Sequence, residues 1–211
     1  MKKVILSAIA VFLLGGIGFW LFKGNPNKNI GQSRPEKAQP TNQIPMKITS
    51  SVFEDQGTIP PKYTCDGDGV NPPLSFFEVP KAAKTLALIV DDPDAPSGTW
   101  VHWLLWNIAP EINQVAENSA PQGATQGQGS SGQNVYGGPC PPASPDPLRP
   151  QSEASASRGG PSGTHHYIFK LYALDAKLSI PSYSTSADLE KAMQGHIIGQ
   201  AQLVGLYSRG K

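Results

Sequence analysis

Three of the four histidines in this 211-residue chain sit in two short segments that also carry carboxyl and phenol groups. One segment is Asp91-Asp92-Pro93-Asp94-Ala95-Pro96-Ser97-Gly98-Thr99-Trp100-Val101-His102-Trp103, and the other is Gly163-Thr164-His165-His166-Tyr167. Alternate residues of a strand share a face. That rule puts His165 with Tyr167, turns His166 away, and sets His102 opposite Val101 and Trp103. Asp92 stands where the apolar run Thr85–Val90 ends, and Pro93 forces the chain out of regular pairing. A strand-end carboxylate, two imidazoles and a phenol can thus line one pocket.

Imidazole N–H and phenol O–H groups are donors, and a protonated imidazole adds positive charge. They suit phosphate or carboxylate oxygens through charge-assisted hydrogen bonds. Asp92 repels a bare anion unless it orients a histidine or meets a cationic part of the ligand, so a zwitterion such as a phosphoethanolamine headgroup fits. The residue types leave other readings open. The histidines can be satisfied core residues beside an Asp that stabilises a turn. Asp92, His102 and His165 can serve as acid and base in a hydrolase, although no G-x-S-x-G elbow occurs and Ser162 lies at the end of a flexible stretch. The same three side chains have the right types for a metal triad, but nothing in their spacing demands it. With two cysteines and strand-spaced histidines there is no structural zinc pattern, and no cofactor is expected.

The elements that must position these groups read mostly as strands. Residues 46–53 alternate in the two-residue period of a half-buried strand, and Thr85–Val90 (TLALIV) is a short apolar run suited to burial on both faces. Val101–Ile108 and Tyr167–Leu174 are rich in aromatic and branched side chains and so central; Ala201–Tyr207 closes the sheet. One helix is expected near Ala187–Gln194, with Thr185 as its cap, Asp188 three residues on, and Gly195 as its stop. Strands separated by Pro/Gly turns, with one late helix, predict an antiparallel sandwich. Residues 118–134 and 143–161 break the pattern and read as surface excursions without packed structure.

Composition agrees. Charged residues make up 16% of the chain, and it has 22 Gly and 21 Pro. That balance disfavours a helical bundle. Residues 46–211 hold 11 basic and 15 acidic side chains, so the basic footprint of a nucleic-acid binder is missing. At the amino end, Val4–Phe22 carries no charge over 19 residues, a helical length of roughly 28 Å that matches a bilayer's hydrocarbon core. It is longer than a cleaved signal core, lacks an A-x-A site, and ends in Phe19-Trp20-Leu21-Phe22. Residues 1–22 are therefore expected to be a membrane anchor or signal segment. Residues 23–45, rich in Pro, Asn, Gln and Lys, form a disordered linker. Residues 46–211 form the folded domain, held on the extracytoplasmic side or exported.

DPDAP followed by Trp100-x-His102, YGGPCPP at 136–142 and GTHHY at 163–167 resemble the phosphatidylethanolamine-binding protein family, above all its bacterial, Raf-kinase-inhibitor-like branch. YTCDG at 63–67, NPPLSF at 71–76, FKLYALD at 169–175 and AMQGHIIGQAQLVGLY at 192–207 extend the likeness over essentially all of 46–211. The resemblance implies a mainly β fold: an antiparallel sandwich of a large central sheet and a smaller one, with one or two short C-terminal helices. It maps the family's anion pocket onto Asp92, Trp100, His102, His165 and Tyr167, with the Pro141-Pro142 turn in the rim. His102 and His165 would face phosphate, Tyr167 would add a hydroxyl, Trp100 an apolar wall and Asp92 an orienting acceptor. His166, where the family commonly has Arg, would face away, and His196 would be structural or exposed. The implied function is non-enzymatic binding of a phosphate, a phospholipid headgroup or an acidic peptide, with a kinase or protease as a possible protein partner.

One departure stands out. In the family the CPP turn runs almost directly into the strand of the second histidine, whereas here 143–161 intervene. Loop entropy grows only logarithmically with length, so the fold tolerates the insertion, and its departure from the rim suggests that it modulates ligand access. In an exported domain Cys65 and Cys140 suggest a disulfide clamping the YTCDG loop to the GGPCPP loop; two buried thiols that never meet are the alternative.

Overall fold

The computed structural model describes residues 45–142 and 163–209. The expected anchor, the linker up to residue 44 and the insertion 143–161 lie outside the described residues. Among the described residues no helix is long and apolar enough to cross a membrane.

Among the described residues nine strands form two sheets. The smaller has the order β1-β3-β6, from β1 (Lys47–Ser50), β3 (Leu74–Phe77) and β6 (Gln114–Val115). The larger has the order β2-β9-β8-β4-β5-β7. Its strands are β2 (Gly57–Thr58), β9 (Ile197–Tyr207), β8 (His165–Leu174), β4 (Thr85–Asp92), β5 (Trp100–Ile108) and β7 (Thr125–Gln126). Pairing is antiparallel except for two residues of β2 laid parallel on β9. The expected closing strand is thus longer than Ala201–Tyr207 and lies one place in from the edge. Two-residue strands occupy both edges of this sheet.

β4 explains why the layers hold together. All eight of its residues are buried, as a continuous apolar run predicts. Leu86, Leu88 and Val90 face the smaller sheet and pack with Ile48, Phe76 and Phe169. Ala87 and Ile89 face the other way, into a second core with Trp106, Leu189 and Met193. At about 1.5–3 kcal/mol for each fully buried branched or aromatic side chain, this strand binds both layers. Leu189 and Met193 come from α1 (Ser186–Met193), which starts one residue before the expected Ala187 because Thr185 caps it. The Thr185 backbone N–H donates to the Asp188 carboxylate at 2.9 Å, and the Thr185 side chain accepts from the Asp188 backbone. Gly195, at φ +80°, takes the left-handed turn that ends the helical segment.

Residues 118–134 depart from expectation. They are not free of packed structure: β7 pairs with Leu105 and Trp106, the Gly127 and Gln128 N–H groups donate to Leu104 and Ser184 carbonyls, and a Cβ on Gly127 would stand 2.4 Å from the Trp106 ring. Backbone laid along a sheet edge needs no apolar side chain of its own, so composition could not signal it.

Candidate functional site

The site forms where β4, β5 and β8 end together. Asp92 closes β4 and pairs in register with Trp100, the first residue of β5. Asp91 pairs with Val101 but Val90 pairs with Trp103, so one step along β4 matches two along β5. His102 is the extra residue, a β-bulge. The strict alternation expected for this segment is broken there. Val101 belongs to the outer core, whereas Trp103 and Tyr167 share the inner one. His102 lies with the latter, its ring edge-on to Tyr167 at 5.2 Å between centroids. His102 and Trp103 therefore share a face, contrary to the two-residue period.

On β8, His165 stacks against the same Tyr167 ring at 6.4 Å. Its Nδ1 donates to Asp92 Oδ2 at 2.7 Å, with both side chains at 5% exposure or less. Asp92 Oδ1 accepts the Asp94 backbone N–H at 2.8 Å, the turn-forming bond that the Asp-Pro-Asp sequence invites. His102 is held from the other side. Its Nδ1 donates to the Gly137 carbonyl at 2.7 Å, and the Gly137 N–H donates back to the His102 carbonyl at 2.9 Å. Burial pushes the His102 ring below its ordinary value of 6.5, against partial compensation from the Gly137 bond and from Asp92.

The result is a crevice of about 390 Å³, with Asp92, His102 and His165 in its walls, Trp100 beside them, and Pro141 and Pro142 at the rim. Trp100 is 42% exposed. Tyr167 is placed differently from expectation. It is 1% exposed, is absent from the lining, and its hydroxyl is buried without a hydrogen-bond partner among the described residues. Desolvation pushes that hydroxyl's pKa far up. Tyr167 packs against both imidazole rings and lies behind the residues that line the crevice. His166 faces away and pairs with Asp94 at 2.7 Å; His196 is exposed and pairs with Asp175.

The rim is fastened twice. Cys65 and Cys140 form a disulfide, with Cα atoms 5.3 Å apart, and the Cys65 N–H donates to the Pro139 carbonyl at 3.0 Å. Gly138 permits this closeness, since a Cβ there would come within 3.0 Å of the Thr64 backbone. Sequence reasoning missed Gly137, whose contribution is a carbonyl oxygen that every residue type carries, as well as the wall residues Pro96 and Ser131. Only the Gly-Gly pair hinted at a close backbone approach. The metal reading finds no support: among the described residues no three His, Cys, Asp or Glu side chains group as a metal site, and Asp92 spends one oxygen on His165 and the other on a backbone N–H.

Comparison with known proteins follows the same lines. The family model described as phosphatidylethanolamine-binding protein matches residues 49–147 and 158–208. A UPF0098 protein of Methanothermobacter thermautotrophicus is 44% identical over 170 residues, covering 78% of this chain and all of that one. Another, from Pyrococcus abyssi, is 45% identical over 171 residues, covering 78% and 86%. Among solved structures, a phosphatidylethanolamine-binding protein homologue from Chlamydia trachomatis is 39% identical with a TM-score of 0.67, covering 79% of this chain and 99% of that one. YbcL of E. coli is 25% identical with the same score, covering 79% and 100%.

Proposed function

Because the chain belongs to the phosphatidylethanolamine-binding protein family, we propose that it is a non-enzymatic binding protein whose crevice holds an anionic group: a phosphate, a phospholipid headgroup or an acidic peptide side chain. One observation carries this reading. Two imidazoles from separate strands are each locked at Nδ1, by Gly137 and by Asp92, in the walls of a single open crevice. One bond to a fixed acceptor aims each ring without any movement at the moment of binding, which is the preorganisation that ligand recognition rewards. Trp100 and the two rim prolines supply apolar surface for whatever carries the anion. Residues 1–22 hold the domain at a membrane, facing outward, and the 143–161 segment tunes entry at the rim. A kinase or protease is the protein partner that such a regulator would meet.

Calorimetric titration of the full chain with phosphate, phosphoethanolamine and an acidic phosphopeptide tests the reading. Saturable heat that His165→Ala abolishes is the expected result; absence of heat with all three overturns it.

The Asp92–His165 pair favours one second reading, since a carboxylate behind an imidazole also builds a general base. Turnover of phosphoesters or carboxylic esters that vanishes in His102→Ala or His165→Ala supports a hydrolase in place of a binding protein.

A further inference from the structure

Tyr207 is connected to both histidine walls of the crevice without lining it. It pairs in register with His165, where β9 ends and β8 begins, and its ring is buried in the inner core. Its hydroxyl donates to Asp66 Oδ2 at 2.6 Å. Arg209, two residues further along the chain, donates to Asp66 Oδ1 from Nε at 3.1 Å and from Nη2 at 3.0 Å. A hydroxyl and a guanidinium fork on one carboxylate are charge-assisted bonds of the stronger kind. Together Tyr207 and Arg209 hold the Asp66 carboxyl below its ordinary range.

Asp66 follows Cys65, and Cys65 is fastened to the other wall. Its sulfur is bonded to Cys140, and its N–H donates to the Pro139 carbonyl. Gly138 lies against the Thr64 backbone, and the Tyr136 hydroxyl donates to the Tyr63 carbonyl at 3.2 Å. Stretches 63–66 and 136–140 are thus held side by side, and the second contains Gly137, whose carbonyl aims His102. The disulfide joins the two loops to each other; the Asp66 bonds join them to β9. A continuous path therefore runs from His165 across the β8–β9 pair to Tyr207, through its hydroxyl to Asp66, and along the joined loops to Gly137 and His102. Two rings that share one ligand depend on their separation, and a supporting shell that is loose by about 1 Å is enough to spoil such a site.

We propose that Tyr207, Asp66 and Arg209 are positioning residues: a brace at the carboxy-terminal end of β9 that fixes the His102 wall relative to the His165 wall. The inference rests on the anion reading above and adds to it residues outside the crevice lining. Three variants of the full chain test it. Tyr207→Phe removes the hydroxyl and keeps the buried ring, and Arg209→Gln removes the fork. Thr185→Ala deletes the cap of α1, which packs in the outer core, and so supplies an ordinary loss of stability away from the brace.

The measurements are calorimetric titration with inorganic phosphate, the NMR resonance of the His102 Nδ1 hydrogen, and hydrogen exchange at the Cys65 and Gly137 amides, which both donate within the rim. Phosphate should bind roughly 3- to 10-fold more weakly to Tyr207→Phe and Arg209→Gln, the scale of one lost hydrogen bond. Both amides should exchange faster and the His102 resonance should shift in these two variants, while Thr185→Ala stays native-like in every readout. An unchanged resonance and unchanged exchange in both brace variants overturn the inference. Loosening of the rim with native phosphate affinity overturns it too, as does an equal response in Thr185→Ala. A native chain that binds no phosphate overturns the anion reading, and the resonance and exchange rates then decide by themselves whether the brace holds the His102 wall.

Discussion

His165 Nδ1 and Asp92 Oδ2 meet at 2.7 Å across 73 residues of sequence, with both side chains almost wholly buried. A buried carboxylate is costly unless it is paired and hydrogen-bonded. Here both oxygens are satisfied, one by the imidazole and one by the Asp94 backbone. The pair ties the end of β4 to the start of β8 and sets the tilt of one wall of the crevice.

Asp92→Asn keeps the shape and an acceptor for one of the two bonds but removes the charge. We expect a loss of about 1.5–3 kcal/mol in urea unfolding, the range for a hydrogen bond to a charged group. An unchanged midpoint would mean that the charge of this pair contributes nothing net to the fold.

The His102 ring sets a pH dependence. Its value in the folded chain is lowered from 6.5, chiefly by burial. Between the folded and unfolded values the unfolded chain binds more protons, so stability falls as pH drops below about 6.5 and levels off below the folded value. Each unit of lowering is worth about 1.4 kcal/mol. Urea midpoints at pH 7.5 and 5 should therefore separate more in the native chain than in His102→Gln, which cannot titrate.

The Cys65–Cys140 bridge closes a sequence separation of 75 residues. Chain-entropy arguments give a loop of that size about 4 kcal/mol. Reduction, or paired Cys→Ser substitution, should lower stability on that scale. Cys140 lines the crevice, and the Cys65 N–H bond to Pro139 lies beside it, so phosphate affinity should fall as well. A stability loss without any loss of affinity would show that the remaining hydrogen bonds hold the rim by themselves.

Tyr167→Phe keeps the ring against both imidazoles and deletes a hydroxyl that is buried without a partner among the described residues. An unmatched buried hydroxyl costs about 1–3 kcal/mol. The variant should therefore be as stable as the native chain or more so, with phosphate affinity within about twofold of native, since a lost bidentate or charged contact would cost more. A tenfold loss would place the hydroxyl on the ligand after all.

Much of this molecule was legible in the order of its residues. The TLALIV run specified a strand buried on both faces, because only such a strand has no need of a polar side. Thr185, Asp188 and Gly195 marked the ends of the helix to within a residue, since caps act locally. The segments bearing Asp92, His102 and His165 announced chemistry through residue type and strand-end position. What folding alone decided were the relationships that depend on register and on backbone atoms. A one-residue slip between β4 and β5 puts His102 on the face of Tyr167, and no periodicity in β5 could foretell a slip that exists only relative to its partner strand. The Gly137 carbonyl, which fixes the hydrogen on His102, belongs to a group every residue possesses. Tyr167, which shares the strand face of His165 as its spacing requires, packs against both imidazole rings and stays off the crevice lining, because depth in a packed layer is set by neighbours from three strands at once.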